Sequence, residues 1–234
     1  MQKQVIIIFG PPGAGKGTQS ELLADKLNLY YFETSKILEQ KFQEAEGLSR
    51  DKRSVEINGE KFDILNEKKL WKEGILCSPP FATYLVKGKI KELAGQGKNL
   101  VIAGSPRTLY EGKEVIPLIK ELYGEENIKT ILIEIEPKET IFRNTNRRIC
   151  ELMRHPILYN EDTKDLKICP LDGSKLIKRK GLDDPEIIKI RLKEYKERTI
   201  PLMEYFREQG IKVNKINGEQ TVVNVHKDIL KVIK

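Results

Sequence analysis

Gly10-Pro11-Pro12-Gly13-Ala14-Gly15-Lys16-Gly17-Thr18 decides the fold of this chain, because of what stands on either side of it. Val5-Ile6-Ile7-Ile8-Phe9 leads in, and Gln19-Ser20-Glu21-Leu22-Leu23 leads out. Strand, glycine-rich turn and helix in that order are the context of a phosphate-binding loop. Without Cβ atoms, the glycines let successive backbone N–H groups converge on a polyphosphate. The helix start adds positive dipole, and Lys16 adds a full charge near the β and γ oxygens. Gly13, Ala14, Gly15, Lys16, Gly17 and Thr18 are therefore expected to hold a nucleoside triphosphate, with the Thr18 hydroxyl on its Mg²⁺.

Outside the loop, 234 residues suffice for one substantial core with small appended lobes. The net charge of +7 raises the question of nucleic acid. Basic residues are interspersed with acidic ones, as in Lys189-Ile190-Arg191-Leu192-Lys193-Glu194, and no basic stripe is interleaved with aromatics. Nucleic-acid binding is not expected. No apolar run approaches the ~20 residues that span a bilayer. Met1-Gln2-Lys3-Gln4 leads straight into a strand, so no signal peptide is expected. Three cysteines, Cys77, Cys150 and Cys169, suggest no disulfide framework and point to a reducing cytoplasm.

Hydrophobic periodicity predicts a buried strand over 5–9 and a helix over 18–27 with Leu22, Leu23 and Leu27 inward. Further strands are expected at 30–32, 100–103, 130–135 and 211–216. Helices are expected over 35–44, 138–148, 185–209 (kinked or restarted at Pro201) and 222–234. Alternating strands and helices indicate a parallel sheet covered on both faces. Two segments interrupt the pattern. In 45–76, apolar residues alternate around Asn58-Gly59, a strong hairpin signal. Residues 149–182 lack helical periodicity and are rich in Pro, Gly, Lys and Asp.

Three more motifs bear on chemistry. Gly104-Ser105-Pro106-Arg107-Thr108 follows a strand and offers a guanidinium fork where phosphoryl transfer needs positioning and charge neutralisation. Arg143 and Arg147 stand four apart and would share a helix face. Asp183-Asp184 precedes Arg191-Leu192 and Thr199-Ile200-Pro201-Leu202.

Together with the loop, these motifs resemble the adenylate kinase branch of the nucleoside monophosphate kinases over nearly the whole chain. The resemblance implies an α/β P-loop NTPase fold, a parallel five-stranded sheet sandwiched by helices. It implies a core of residues 1–33, 77–148 and 183–234, a monophosphate-binding lobe at 34–76 carrying an inserted hairpin, and a lid at 149–182. Lys16, Arg107, Arg143, Arg147 and Arg191 would neutralise the reacting phosphates, with Arg143 also on the donor nucleotide. Thr34, Leu76, Cys77, Arg107, Glu111, Arg179 and Arg191 would bind the acceptor, with Lys180 the alternative to Arg179. The implied activity moves the γ-phosphoryl of Mg-ATP to a nucleoside monophosphate, AMP first, with GMP or a pyrimidine monophosphate behind it. Rival readings are a nucleotide sensor without turnover and a P-loop ATPase acting on RNA. A monomer is expected.

Zinc-bearing lids of that family use pairs of cysteines, sometimes with an aspartate. Here Met153 stands at one ligand position, and Cys150, His155, Cys169 and Asp172 would be the set. Those four are chemically adequate for a closed tetrahedral zinc site, and a metal-free lid with two buried thiols is the equal alternative. Elsewhere the chain departs from the family. Lys36 and Ala103 stand where aspartates near the magnesium–water shell are expected, and Glu39 where an arginine meets the monophosphate. Glu111 replaces a glutamine that reads adenine, and a carboxylate only accepts hydrogen bonds, so altered base preference is one expectation and pairing with a nearby Lys the other. The inserted hairpin would rebuild the pocket, supply replacement cations such as Arg50 or Arg53, or mediate self-association, three readings the sequence leaves open.

Overall fold

The structure, a computed structural model, describes residues 3–49, 51–154, 156–179 and 181–233. The first half runs β1 (Val5–Phe9), α1 (Lys16–Leu27), β2 (Tyr30–Glu33), α2 (Thr34–Ala45), β3 (Ser54–Ile57), β4 (Glu60–Asp63), α3 (Ile64–Lys72), α4 (Pro79–Gly95) and β5 (Leu100–Ala103). It continues with α5 (Leu109–Tyr123), β6 (Ile128–Glu134), α6 (Pro137–Asn146), β7 (Arg148–Cys150), β8 (Pro156–Ile157), β9 (Leu176–Ile177), α7 (Pro185–Glu194), α8 (Leu202–Glu208), β10 (Val213–Asn217) and α9 (Val222–Ile233).

Five strands form one parallel sheet in the order β10-β6-β1-β5-β2. The apolar run of β1 is buried throughout because both faces of the sheet are covered. Its period of two divides it between layers. Val5, Ile7 and Phe9 pack with Val86 and Ile90 of α4, Val115 and Ile119 of α5 and Phe206 of α8. Ile6 and Ile8 pack with Leu23 of α1 and with Val225 and Ile229 of α9. Among the expected inward residues of α1, Leu23 is fully buried whereas Leu22 is exposed, since that helix meets the sheet along a narrow stripe.

The hairpin forms where expected. Asn58 (φ 53°) and Gly59 (φ 82°) both take left-handed backbone, the two-residue turn whose twist matches the flanking strands. Phe62 from β4 enters a cluster with Leu38 and Phe42 of α2 and with Phe81 of α4. Arg53 is tied to Asp63 within the hairpin at 3.1 Å, and Arg50 lies outside the described residues.

One helix expectation is corrected, and the restart expected at Pro201 takes a particular form. The helix over 138–148 stops at Asn146: Arg147 is extended (φ −62°, ψ 134°), and Arg148 already belongs to β7. Strand pairing of Ile149 with Ile177 and of Cys150 with Leu176 overrides helical propensity there. Arg143 and Arg147 therefore do not share a helix face. The helix over 185–209 is three pieces, because a wide turn at Tyr195–Thr199, with Ile200 N donating to Tyr195 O at 3.0 Å, precedes Pro201 and α8. β7, β8 and β9 make a small antiparallel sheet of their own.

Candidate active site

The phosphate-binding loop leaves the carboxyl end of β1, at the centre of the sheet and between strands whose connections run in opposite directions. Open α/β sheets bind ligands at such a point. Lys16 Nζ donates to Gly10 O at 2.7 Å and to Pro11 O at 2.8 Å, so the loop is closed around its own lysine. Gly13 has φ 81°, and a Cβ there would stand 2.5 Å from Asn144 Nδ2. Asn144 is fully buried; its Nδ2 donates to Thr140 O at 2.7 Å, and its Oδ1 accepts from Arg147 Nη2 at 2.7 Å. One amide of α6 thus packs close against the loop at Gly13 while it holds Arg147.

Cations crowd this end of the sheet. Lys16 is held well below its ordinary value, by burial first and then by Arg107, Arg191 and Arg147. Arg191 is brought down to about 9 by burial, then by Arg179, Arg147 and Arg107. Arginines stay charged at neutral pH, so this depression registers the cost of burying charge first and repulsion among the cations second, and a bound anion would reduce both. Asp183 supplies part of the compensation, accepting from Arg147 and, at 2.7 and 3.0 Å, from Arg179. Burial pushes its carboxyl up, yet the bonds from Arg179 and then Arg147 prevail and hold it below the usual range. Arg191 Nη1 also donates to Leu182 O at 3.1 Å. Arg143 lies apart from this group in its bonding: Nε donates to Glu139 Oε1 at 2.6 Å and Nη2 to Gly218 O at 3.0 Å. Lys180 lies outside the described residues.

On the acceptor side, Thr34 is buried at the start of α2, its hydroxyl 3.4 Å from Ala103 O. Leu76 N donates to Glu194 Oε2 at 3.0 Å. Cys77 is buried, its thiol pushed up to about 12 by burial and by Glu67. Glu111 is turned inward: its carboxylate accepts from Ser105 Oγ (3.0 Å), Arg107 N (3.1 Å) and Thr108 Oγ1 (3.4 Å). Thr108 caps α5 by accepting from Glu111 N at 3.2 Å, so the pair is a reciprocal helix-start device. Among the described residues, its bonds go to these loop groups rather than to a lysine. Burial raises the Glu111 carboxyl against the pull of those donors. Burial raises the Glu39 carboxyl against the pull of Arg154, with Glu33 adding to the rise and Arg179 and Lys36 opposing it.

Cys150 and Cys169 are buried, and with Asp172 they present three ligand atoms within 4.8 Å of one another. Cys150 Sγ stands 2.9 Å from Asp172 Oδ2. Two thiols and a carboxylate so close suit a small thiophilic cation. Met153 is largely exposed, and His155 lies outside the described residues.

Sequence reading missed Asn144 and Glu33. The first looked like an ordinary helical amide, and the second acquires meaning only from the register that sets it beside Ala103. No local signal marks either.

This fold and this site define an α/β phosphate-binding-loop protein in which several cations gather around the loop lysine. The adenylate kinase family model matches residues 8–211, and the chain belongs to that family, which makes it a phosphotransferase. It is 31% identical over 232 residues to the adenylate kinase of Petrotoga mobilis, covering 98% of this chain and 97% of that one. The adenylate kinase of Chlamydia pneumoniae is 32% identical over 229 residues, covering 98% and 97%. That of Methanosarcina barkeri is 29% identical over 231 residues, covering 98% of each. Among the described residues, no helix is long and apolar enough to cross a membrane.

Proposed function

We propose that the chain transfers the γ-phosphoryl group of Mg-ATP to AMP, giving two ADP. The observation that carries this reading is the gathering of Lys16, Arg107, Arg147 and Arg191, in which burial lowers Lys16 most and the three arginines lower it further. A buried cluster of that kind favours an anion beyond Asp183. An oxygen of the acceptor phosphate attacks the γ-phosphorus while the bond to the β–γ bridging oxygen breaks, and ADP leaves. No side chain need become covalently attached.

Lys16 and the loop amides would hold the β and γ phosphates, and Arg107 and Arg191 the acceptor phosphate. Arg147 would neutralise the transferring group, and Arg143 would border the donor nucleotide. Thr34, Leu76 and Cys77 would line the acceptor base pocket. Thr18 would hold Mg²⁺ through its hydroxyl, and the ion would supply positive charge to the donor phosphates. Lys16, Arg107, Arg147 and Arg191 act by position and charge alone. The division into core, monophosphate lobe (34–76) and lid (149–182) belongs to this proposal, as does water exclusion by lid closure, which keeps the γ-phosphoryl from hydrolysis.

Cys150, Cys169 and Asp172 would hold a structural Zn²⁺, with His155 as the expected fourth ligand. A cytoplasmic monomer is part of the same reading.

The deciding experiment is ADP formation from Mg-ATP with AMP, GMP, CMP, UMP and dTMP offered separately beside a blank without acceptor. AMP-dependent turnover above the other four is expected. Preference for another monophosphate would overturn the acceptor, and silence across the panel with ATP still bound would favour a nucleotide sensor.

A further inference from the structure

Mg²⁺ on a nucleoside triphosphate is ordinarily held by the loop hydroxyl and a carboxylate at the end of a nearby strand. Here β1 gives way to Gly10, and the neighbouring β5 ends at Ala103, which has no carboxylate. Of the five sheet strands, two end in an acid: β6 in Glu134 and β2 in Glu33. Glu134 is exposed and paired with Lys215 at 3.0 Å.

Glu33 stands otherwise. Parallel register makes it the partner of Ala103, and Cα partners of a parallel ladder point to the same face of the sheet. Val101, two residues before Ala103, packs on the layer that contains Ala14 and α1, so Glu33 shares the face of the phosphate-binding loop. Tyr31 lies on that face too. Its hydroxyl would be 3.2 Å from a Cβ on Gly17, the residue between Lys16 and Thr18, and it also interacts with the Glu33 carboxylate. Ser35 Oγ donates to Glu33 Oε1 at 2.9 Å, and Lys36 Nζ lies 3.3 Å from Oε2. Lys36 is itself mostly exposed and rests over the Tyr31 ring, a loose partner that a divalent cation could displace.

We propose that Glu33 supplies the carboxylate of the Mg²⁺ site, reaching from β2 across the place where β5 offers only Ala103. The proposal rests on the Mg-ATP reading above and names the residue that completes it. Ion-bound water, rather than the ion itself, is the expected contact, since Mg²⁺ keeps several of its waters.

Titration of the intact protein with Mn²⁺-ATP, followed by Mn²⁺ electron paramagnetic resonance, tests it alongside ATP binding in excess chelator. Glu33→Gln should weaken Mn²⁺-ATP binding by about tenfold or more while metal-free ATP binding stays within about twofold. Adding Ala103→Asp to Glu33→Gln should restore metal-dependent binding, because the two positions are register partners. Unchanged Mn²⁺ affinity, or equal loss with and without metal, overturns the proposal. The monophosphate panel on the wild type separately judges the kinase reading, so the two can fail independently.

Discussion

Arg147 and Asp183 meet across 36 residues of sequence, with Arg147 Nη2 2.5 Å from Asp183 Oδ1 and Nε 3.3 Å from Oδ2. Arg179 grips the same carboxylate from the other side. The anion organises two cations of the cluster, and it joins the end of α6 to the start of α7.

Removing its charge should be costly. Asp183→Asn leaves two buried guanidinium groups without their counter-ion, and we expect a loss of about 3 kcal/mol in chemical denaturation. That is the low end for a broken buried pair, because both arginines keep 24% of their side-chain surface exposed. The wild-type contribution has a definite pH window. A carboxyl held below its unfolded value stabilises fully above about pH 4 and loses that effect as pH falls through the folded value. Asp183→Asn should therefore flatten the acid limb of stability against pH.

Gly13→Ala should reduce ATP affinity by about tenfold or more. Left-handed backbone alone costs an alanine roughly 1–2 kcal/mol, and the new methyl also meets Asn144 Nδ2. Calorimetric titration of the variant, and of Gly13→Ala with Asn144→Ala, separates the two terms. Partial recovery in the double variant is the expected result.

Arg191→Met should act in opposite directions on the free and liganded protein. It removes one member of a mutually repelling set, so the ligand-free melting temperature should hold or rise. Stabilisation by saturating ATP with AMP, about 3 kcal/mol at a hundredfold excess over Kd, should shrink markedly. A scaffold role alone would lower the first value.

Glu111→Gln should leave the ranking of acceptor monophosphates unchanged, since both carboxylate oxygens already serve the 105–108 loop. One weakened loop bond should cost about 1 kcal/mol and raise the acceptor KM. A switch in preferred base, read from the panel, would return Glu111 to the base pocket.

Protein purified without chelator should carry about one equivalent of zinc, and its removal should lower the melting temperature. Less than about a tenth of an equivalent would leave Cys150, Cys169 and Asp172 as a metal-free cluster.

Several of these features are legible in the order of residues alone. The phosphate-binding loop and the Asn58-Gly59 turn are local: their conformations follow from glycine's freedom and the spacing of a few residues. Arg147 shows the limit. Its spacing from Arg143 is helical, yet pairing of β7 with β8 and β9 pulls it out of α6. Glu111 shows another, because a base edge, a lysine and its own loop are all chemically suitable partners, and packing turns it inward to the loop.

By itself, the sequence determined the sheet-and-helix alternation, the cradle at Gly10–Thr18, the hairpin and the cationic character of the site. Those depend on periodicity, backbone freedom and side-chain charge within short stretches. Tertiary structure alone decided that Glu33 stands beside Ala103, that Asn144 packs by Gly13 and holds Arg147, and that one aspartate serves two arginines. Each joins residues distant in the chain, and such pairings are fixed by strand register and close packing, which no local pattern encodes.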